Sequence, residues 1–290
     1  MNGDTDNPPS AGPASAVAAA AKLGEPDRYL AATLAPAEKR EALLALAAFS
    51  AELARVTFAV WREPAMGAIR LQWWRDALSL PKEISAGSEV ADAVRGVARS
   101  YRLPPALLEV QPDARATQLE AGPLADEAAL QDFLWNAEGV QFALAAQVLG
   151  APTGIGTDAA CVAAGEAYGM ARLLMELPRR LALGRVPLAQ TQLSAAGLSS
   201  QELLAGGTPE KIERLFVNCK ERIGISLDQA RRHIGPLPRE AKTAFLPLAL
   251  VGTYVRAVER TAPEAPRAEA KVASLTRVCR IGLAHWRGRI

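Results

Sequence analysis

The segment EPAMGAIRLQWWRDAL, Glu63 to Leu78, decides how this chain is read. Pro64 stands where a helix can begin and Pro81 where one must stop, which predicts a helix over residues 66–80. Adjacent tryptophans on a helix point about 100° apart. One of Trp73 and Trp74 is therefore expected in the core and the other at its rim, with Arg75 and Asp76 ion-paired nearby. Just before this segment runs REALLALAAFSAELARV, Arg40 to Val56. Pro36 suits an early helical position, and Leu43, Leu44, Ala47, Phe49, Leu53 and Val56 recur at helical spacing, so a long apolar helix should end before Pro64.

The same pattern extends outward. Helices are expected over residues 90–101, 105–119, 126–149, 157–183, 209–233, 238–260 and 264–286. Pro178 and Pro247 fall inside two of them, and a kink or break is expected at each. Residues 184–207, rich in Gly, Ser and Gln, read as irregular. Strand alternation and hairpin dipeptides are nearly absent. The organisation that follows is a disordered tail over residues 1–25 and one all-α domain over residues 26–290.

Of the 290 residues, 50% are hydrophobic, 22% charged and only 5% aromatic, so the core should be aliphatic and helical. A net charge of +2 gives no reason to expect a nucleic-acid partner. Cys161, Cys219 and Cys279 are scattered, and only His233 and His285 could join them, which disfavours a zinc or iron–sulfur site. Three unpaired cysteines suit a reducing compartment such as the cytoplasm. The alanine-rich N-terminus lacks the basic run of a signal or transit peptide. The longest apolar run, residues 244–255, is too short to span a bilayer, which leaves peripheral association with an inner membrane open. Near the C-terminus Arg277, Arg280, Arg287 and Arg289 alternate with Leu275, Ile281, Leu283 and Trp286. Such a helix either rests on an anionic membrane or a partner protein, or is a solvated face.

An ordered series of segments then resembles the squalene/phytoene synthase family. It comprises Asp27-Arg28-Tyr29-Leu30-Ala31, Ala48-Phe49, Glu63-Pro64, Gly67 and the run from Ile69 to Asp76, in which Arg70, Trp73, Trp74 and Asp76 are the signature. It continues through Gly165-Glu166-Ala167-Tyr168-Gly169, Leu177-Pro178, Gly184-Arg185-Val186 and the run from Phe245 to Leu250. Asp27-Arg28-Tyr29 is read as fixing the start of the chain onto the bundle. The resemblance implies a trans-isoprenyl-diphosphate-synthase-like bundle around a central, largely apolar cavity. It also implies head-to-head coupling of isoprenyl diphosphates, with Mg²⁺ held by two Asp-x-x-x-Asp motifs.

The chain contains no Asp-x-x-x-Asp. The first motif aligns with Ala54, Arg55 and Phe58, and the aspartates of the second fall on Arg180 and Gly184. The only acids spaced by four are Glu109 and Asp113, with Pro112 expected to interrupt their helix. The resemblance is nearest to a branch that includes the phytoene-synthase-like assembly factor of respiratory complex I, where Glu-x-Ala-Arg/Gln replaces the first motif, as in Glu52-Leu53-Ala54-Arg55. No catalytic residue, metal ligand or cofactor is therefore expected. The reading is a degenerate, non-catalytic member acting as an assembly factor, with a respiratory-complex or membrane-associated partner, or as an isoprenoid-binding protein. A transferase using Mg²⁺ through other residues is the alternative, and a lipid or quinone carrier a weaker one. Because arginine binds diphosphate bidentately without metal, Arg55, Arg172, Arg179, Arg180 and Arg185 are the candidate ligand-binding residues for an isoprenyl diphosphate. The competing reading pairs these arginines with neighbours such as Glu52 and Glu176.

Overall fold

A computed structural model describes residues 13–59, 63–261 and 269–290. Among these, helices account for nearly all regular structure, in the order α1 (Pro13–Gly24), α2 (Pro26–Thr33), α3 (Ala37–Ala59), α4 (Pro64–Ser79), α5 (Glu89–Ser100) and α6 (Pro105–Thr117). Then come α7 (Glu127–Leu134), a π-helical turn (Trp135–Gly139), α8 (Val140–Val148), α9 (Ile155–Ala182), α10 (Gln190–Ala195), α11 (Ser200–Ala205) and α12 (Pro209–Ile234). The chain closes with α13 (Arg239–Lys242), a 3₁₀ stretch (Thr243–Leu250), α14 (Val251–Thr261) and α15 (Ser274–Arg287).

Two helices form the centre. α9 packs against α12, α14, α8 and the π turn, and α3 packs against α1, α2, α5 and α8. Both are apolar over most of their circumference, as a helix with neighbours on every side must be. α3 is long and apolar enough on composition to cross a bilayer, despite two charges that break its apolar run, but 67% of that window is buried inside the bundle. Aromatic side chains fill gaps between alanines. Phe142 stacks on Phe245 at 5.7 Å and meets Tyr168 edge-on, while Trp74 meets Phe49 edge-on at 5.1 Å.

Several local expectations are corrected. The tail expected over residues 1–25 is helical from Pro13, with Val17 and Ala21 buried against α3; residues 1–12 lie outside the described residues. The Ala-rich run that resembles a low-complexity tail also fits closely against another Ala-rich helix. α9 runs through Pro178 without a break, because Leu173, Leu174, Leu177 and Leu181 are buried on both sides of it and offset the lost hydrogen bond. α6 likewise continues through Pro112. Pro247 does interrupt its segment, as a 3₁₀ stretch. The expected helix over 126–149 is broken by the π turn. The irregular region over 184–207 contains α10 and α11, the latter opened by a Ser199–Glu202 capping box. The last helix starts at Ser274; residue 264 lies outside the described residues.

Trp74 is buried and Trp73 exposed, as their spacing predicts. Arg75 pairs with Asp113 at 2.5 Å, whereas Asp76 accepts a hydrogen bond from the Gln72 amide instead of meeting a cation. Arg70 is exposed on the same helix.

Candidate functional site

The centre of the bundle, where the family resemblance implies an apolar cavity, is occupied by charged side chains of alternating sign. Glu138 lies on the π turn, whose extra residue per turn brings it inward beside Ala137 and Gly139. One of its oxygens accepts from Arg28 of α2 at 3.0 Å, and the other from Arg115 of α6 at 3.2 Å, with Arg172 of α9 at 3.6 Å. Glu25, between α1 and α2, takes Arg172 at 2.7 Å and the Ser50 hydroxyl at 3.1 Å, and lies 3.8 Å from Arg28. Arg172 also reaches Glu176 at 3.5 Å, and Glu176 holds Arg180 at 2.6 Å. Arg28 lies over the rings of Phe142 and Tyr168, which shields it from water.

Close packing positions this chain of charges. Gly165 of α9 faces the π turn, and a Cβ there would come within 2.5 Å of the Gly139 Cα. The two backbones touch because neither residue has a side chain in the way. That contact sets Arg172 and Glu138 within reach of each other, two turns along α9.

A second buried carboxylate, Asp27, sits at the next level of the bundle. The Tyr168 hydroxyl donates to it at 2.8 Å, and Tyr254 of α14 and Arg277 of α15 donate as well. Burial, reinforced by Asp27, pushes the Tyr168 and Tyr254 hydroxyls well above the ordinary tyrosine range, so both stay protonated donors. Burial opposes the charge on Arg277, but Asp27 outweighs it and raises this group. Asp27 thus ties α2, α9, α14 and α15 together.

The helix faces that the resemblance aligns with the two metal-binding motifs do meet. Phe58 of α3 is the residue that the family resemblance aligns with the third position of the first motif, and Arg180 of α9 the one it aligns with the first aspartate of the second. The Arg180 guanidinium lies 4.8 Å from the Phe58 ring centre, and that of Arg179 lies 4.0 Å from it. A cation–π contact therefore stands where carboxylates facing each other through Mg²⁺ would be required. Glu176 is the carboxylate nearest this contact, and Arg180 and Arg172 hold it. Burial pushes its carboxyl up, but the two guanidiniums outweigh that and leave it below the ordinary glutamate value. Among the described residues no three His, Cys, Asp or Glu side chains group closely enough to hold a metal ion. The residues present do not fit Mg²⁺.

The five candidate arginines do not form one cradle. Arg55 points to solvent, 61% exposed, and pairs with Glu52 at 2.5 Å on its own helix. Arg172 and Arg180 share Glu176. Arg179 stacks on Phe58. Arg185 is buried and donates to the Thr57 carbonyl at 2.5 Å. Burial, with Arg180 nearby, lowers its affinity for a proton, and burial does the same to Arg180 despite Glu176. Beside these two lies a narrow pocket walled by Gln118, Phe133, Leu124 and Pro187. The backbone of residues 186–190 pairs there with residues 121 and 124. Its free volume of about 20 Å³ holds a water molecule rather than a prenyl chain. The Gln118 amide nitrogen is buried without a hydrogen-bond partner there.

Sequence reading missed Glu25, Arg115, Glu138, Tyr254 and the inward role of Arg277. The available signal was a charge interrupting an apolar helical run, as Glu138 does between Leu134 and Val148. Asp27 and Arg28 were seen as fixing the start of the chain, and they do so from inside the core.

The fold is shared with solved structures. The squalene synthase HpnC from Alicyclobacillus acidocaldarius superposes with a TM-score of 0.72 at 15% identity, over 87% of this chain and 94% of that one. A dehydrosqualene synthase gives 0.72 at 11% identity, over 95% and 96%. Among curated proteins, NADH dehydrogenase (ubiquinone) complex I, assembly factor 6 of Mus musculus is 25% identical over 235 residues, 81% of this chain and 70% of the mouse protein. The Homo sapiens protein of the same name is 23% identical, over 80% and 69%. The profile of squalene/phytoene synthase matches residues 21–277, nearly the whole described bundle, and the chain belongs to that family.

Proposed function

We propose that this protein is a non-catalytic member of the family that supports assembly of a respiratory complex through its surface, with the former reaction centre converted into an internal brace. The contact of Arg179 and Arg180 with Phe58 carries this reading, because ionising a prenyl diphosphate requires the leaving pyrophosphate to be neutralised between the two motif faces. Here one face offers a ring and the other a guanidinium already held by Glu176. The relatives named as complex I assembly factors support the partner class. Incubation with farnesyl or geranylgeranyl diphosphate and Mg²⁺ should release no pyrophosphate; Mg²⁺-dependent release would overturn the non-catalytic reading. Deleting the gene should lower the amount of assembled NADH dehydrogenase complex, and an unchanged amount would remove the assembly role.

A second reading, metal-independent binding of an isoprenyl diphosphate, draws on the unpartnered Gln118 amide beside Arg180 and Arg185 and requires that water-sized pocket to open. Titration calorimetry with a non-hydrolysable farnesyl diphosphate analogue, with and without Mg²⁺, decides it. Binding that is unchanged in Arg180→Ala and Arg185→Ala would show that these residues do not form the site.

A further inference from the structure

The most exposed apolar residues of the C-terminal part lie on α15, on the side turned away from the core. Leu275 is 73% exposed, Val278 50%, Leu283 40% and Trp286 75%. At about 100° per residue, Leu275, Cys279, Gly282 and Trp286 form one stripe, with Val278 and Leu283 at its edges. Ile281 and Ala284 lie on the opposite side and are buried. Arg277 shares that inner side and is locked to Asp27, so the helix cannot roll its apolar stripe inward without breaking a buried ion pair. The stripe is therefore an outward face of a fixed helix.

The charge beside it has one sign. α15 carries no Asp or Glu, while Arg280 and Arg287 run along one edge of the stripe. Gly288, at φ 63°, ends the helix in a left-handed cap and turns Arg289 back toward the bundle. There Arg287, Arg289, Lys242 and Arg231 surround a concavity of about 410 Å³. Arg231 is engaged by Asp228 and by the terminal carboxylate of Ile290, the two acids that face the group, against the four cations.

We propose that this surface docks on a bilayer leaflet containing anionic phospholipids, with α15 lying in the interfacial plane and a headgroup phosphate in the basic concavity. Aliphatic side chains and a terminal tryptophan facing outward, with arginines along one edge and no acid on the helix, match an interfacial helix. A protein surface mixes both charge signs, whereas an anionic leaflet presents one over its whole area, as the rim of α15 requires. The proposal does not depend on what the bundle centre binds.

The test is sedimentation of the full chain with vesicles of phosphatidylcholine alone or mixed with phosphatidylglycerol. Binding is expected to the mixed vesicles, to weaken with salt, and to fall roughly fivefold for each charge removed in Arg287→Gln and Arg289→Gln. Leu275→Ser with Trp286→Ser should reduce it at least about tenfold while the thermal melt stays unchanged, since neither side chain packs in the core. Equal binding to both vesicle types, or binding that survives these variants, overturns the proposal. So does the absence of vesicle binding with self-association abolished by the serine pair, which would assign the face to a second copy of the chain.

Discussion

Glu138 and Asp27 are both buried carboxylates that join several helices, but their surroundings differ. Glu138 meets three guanidiniums, those of Arg28, Arg115 and Arg172, while Asp27 meets two tyrosine hydroxyls and one guanidinium. A hydroxyl can rotate to accept as well as donate, and a guanidinium only donates. The Glu138 site therefore offers donors alone, whereas the Asp27 site includes partners that can turn to a neutral replacement. The family resemblance implies an apolar cavity at the middle of the bundle, and here the Glu138 cluster occupies it.

The largest effect should come from Glu138→Gln. Gln keeps one acceptor for the three guanidiniums and no charge: Arg115 would retain the Gln118 carbonyl at 3.3 Å, and Arg28 the Glu138 backbone carbonyl at 3.4 Å and its distant contact with Glu25. Removing one partner of a buried ionic cluster costs about 3–5 kcal/mol. Urea unfolding should show a midpoint lowered by that free energy divided by the slope, with the slope unchanged. A loss below about 1 kcal/mol would mean that water already screens the cluster.

Asp27→Asn should cost less, about 1.5–3 kcal/mol, the range for hydrogen bonds to a charged group. Asn keeps the shape and one acceptor, the tyrosines can reorient, and the side chain of Arg277 is 20% exposed, so water can take part of its charge. Equal losses in the two variants would erase the contrast and show that burial, not the kind of partner, sets the cost.

The fold was legible in the sequence because it is written in features of short range. Pro64 and Pro81 bracket α4, and the Trp73-Trp74 pair divides between rim and core. The interior charge cluster was not legible. Its members come from residues 25 to 180 and are brought together by the Gly165–Gly139 contact and the π turn, which shifts the helical phase that sequence periodicity assumes. The prolines misled for a related reason: propensity at Pro112 and Pro178 is local, and the packing that overrides it is not. Of the five candidate arginines, sequence alone could pair Arg55 with Glu52 and Arg180 with Glu176, since both pairs lie within one helix. It could not show that Arg172 and Arg180 compete for the same carboxylate.

Glu176 extends the comparison into pH. Its folded form is held below the ordinary glutamate value of 4.5, so its pairing contributes stability that is fully present above that value and lost as pH falls through the lower, folded one. The difference in unfolding midpoint between the parent and Glu176→Gln should be constant from neutrality down to about 4.5 and then shrink toward zero. A difference that persists undiminished in acid would assign the contribution of Glu176 to packing instead of charge.

The smallest effect is expected at Arg55, although it replaces an aspartate that is central in catalytic relatives. Its guanidinium is mostly in solvent and its partner Glu52 is three residues back on the same helix, so the pair is worth roughly 0.3–0.5 kcal/mol and is screened by salt. Arg55→Ala should leave the urea midpoint nearly unmoved at physiological ionic strength. The same substitution at Arg180, buried against Glu176 and Phe58, should cost several times more. A large loss at Arg55 would mean that this face of α3 still closes on something the bundle holds, and would put the reversed charge of the first motif back at the centre of function.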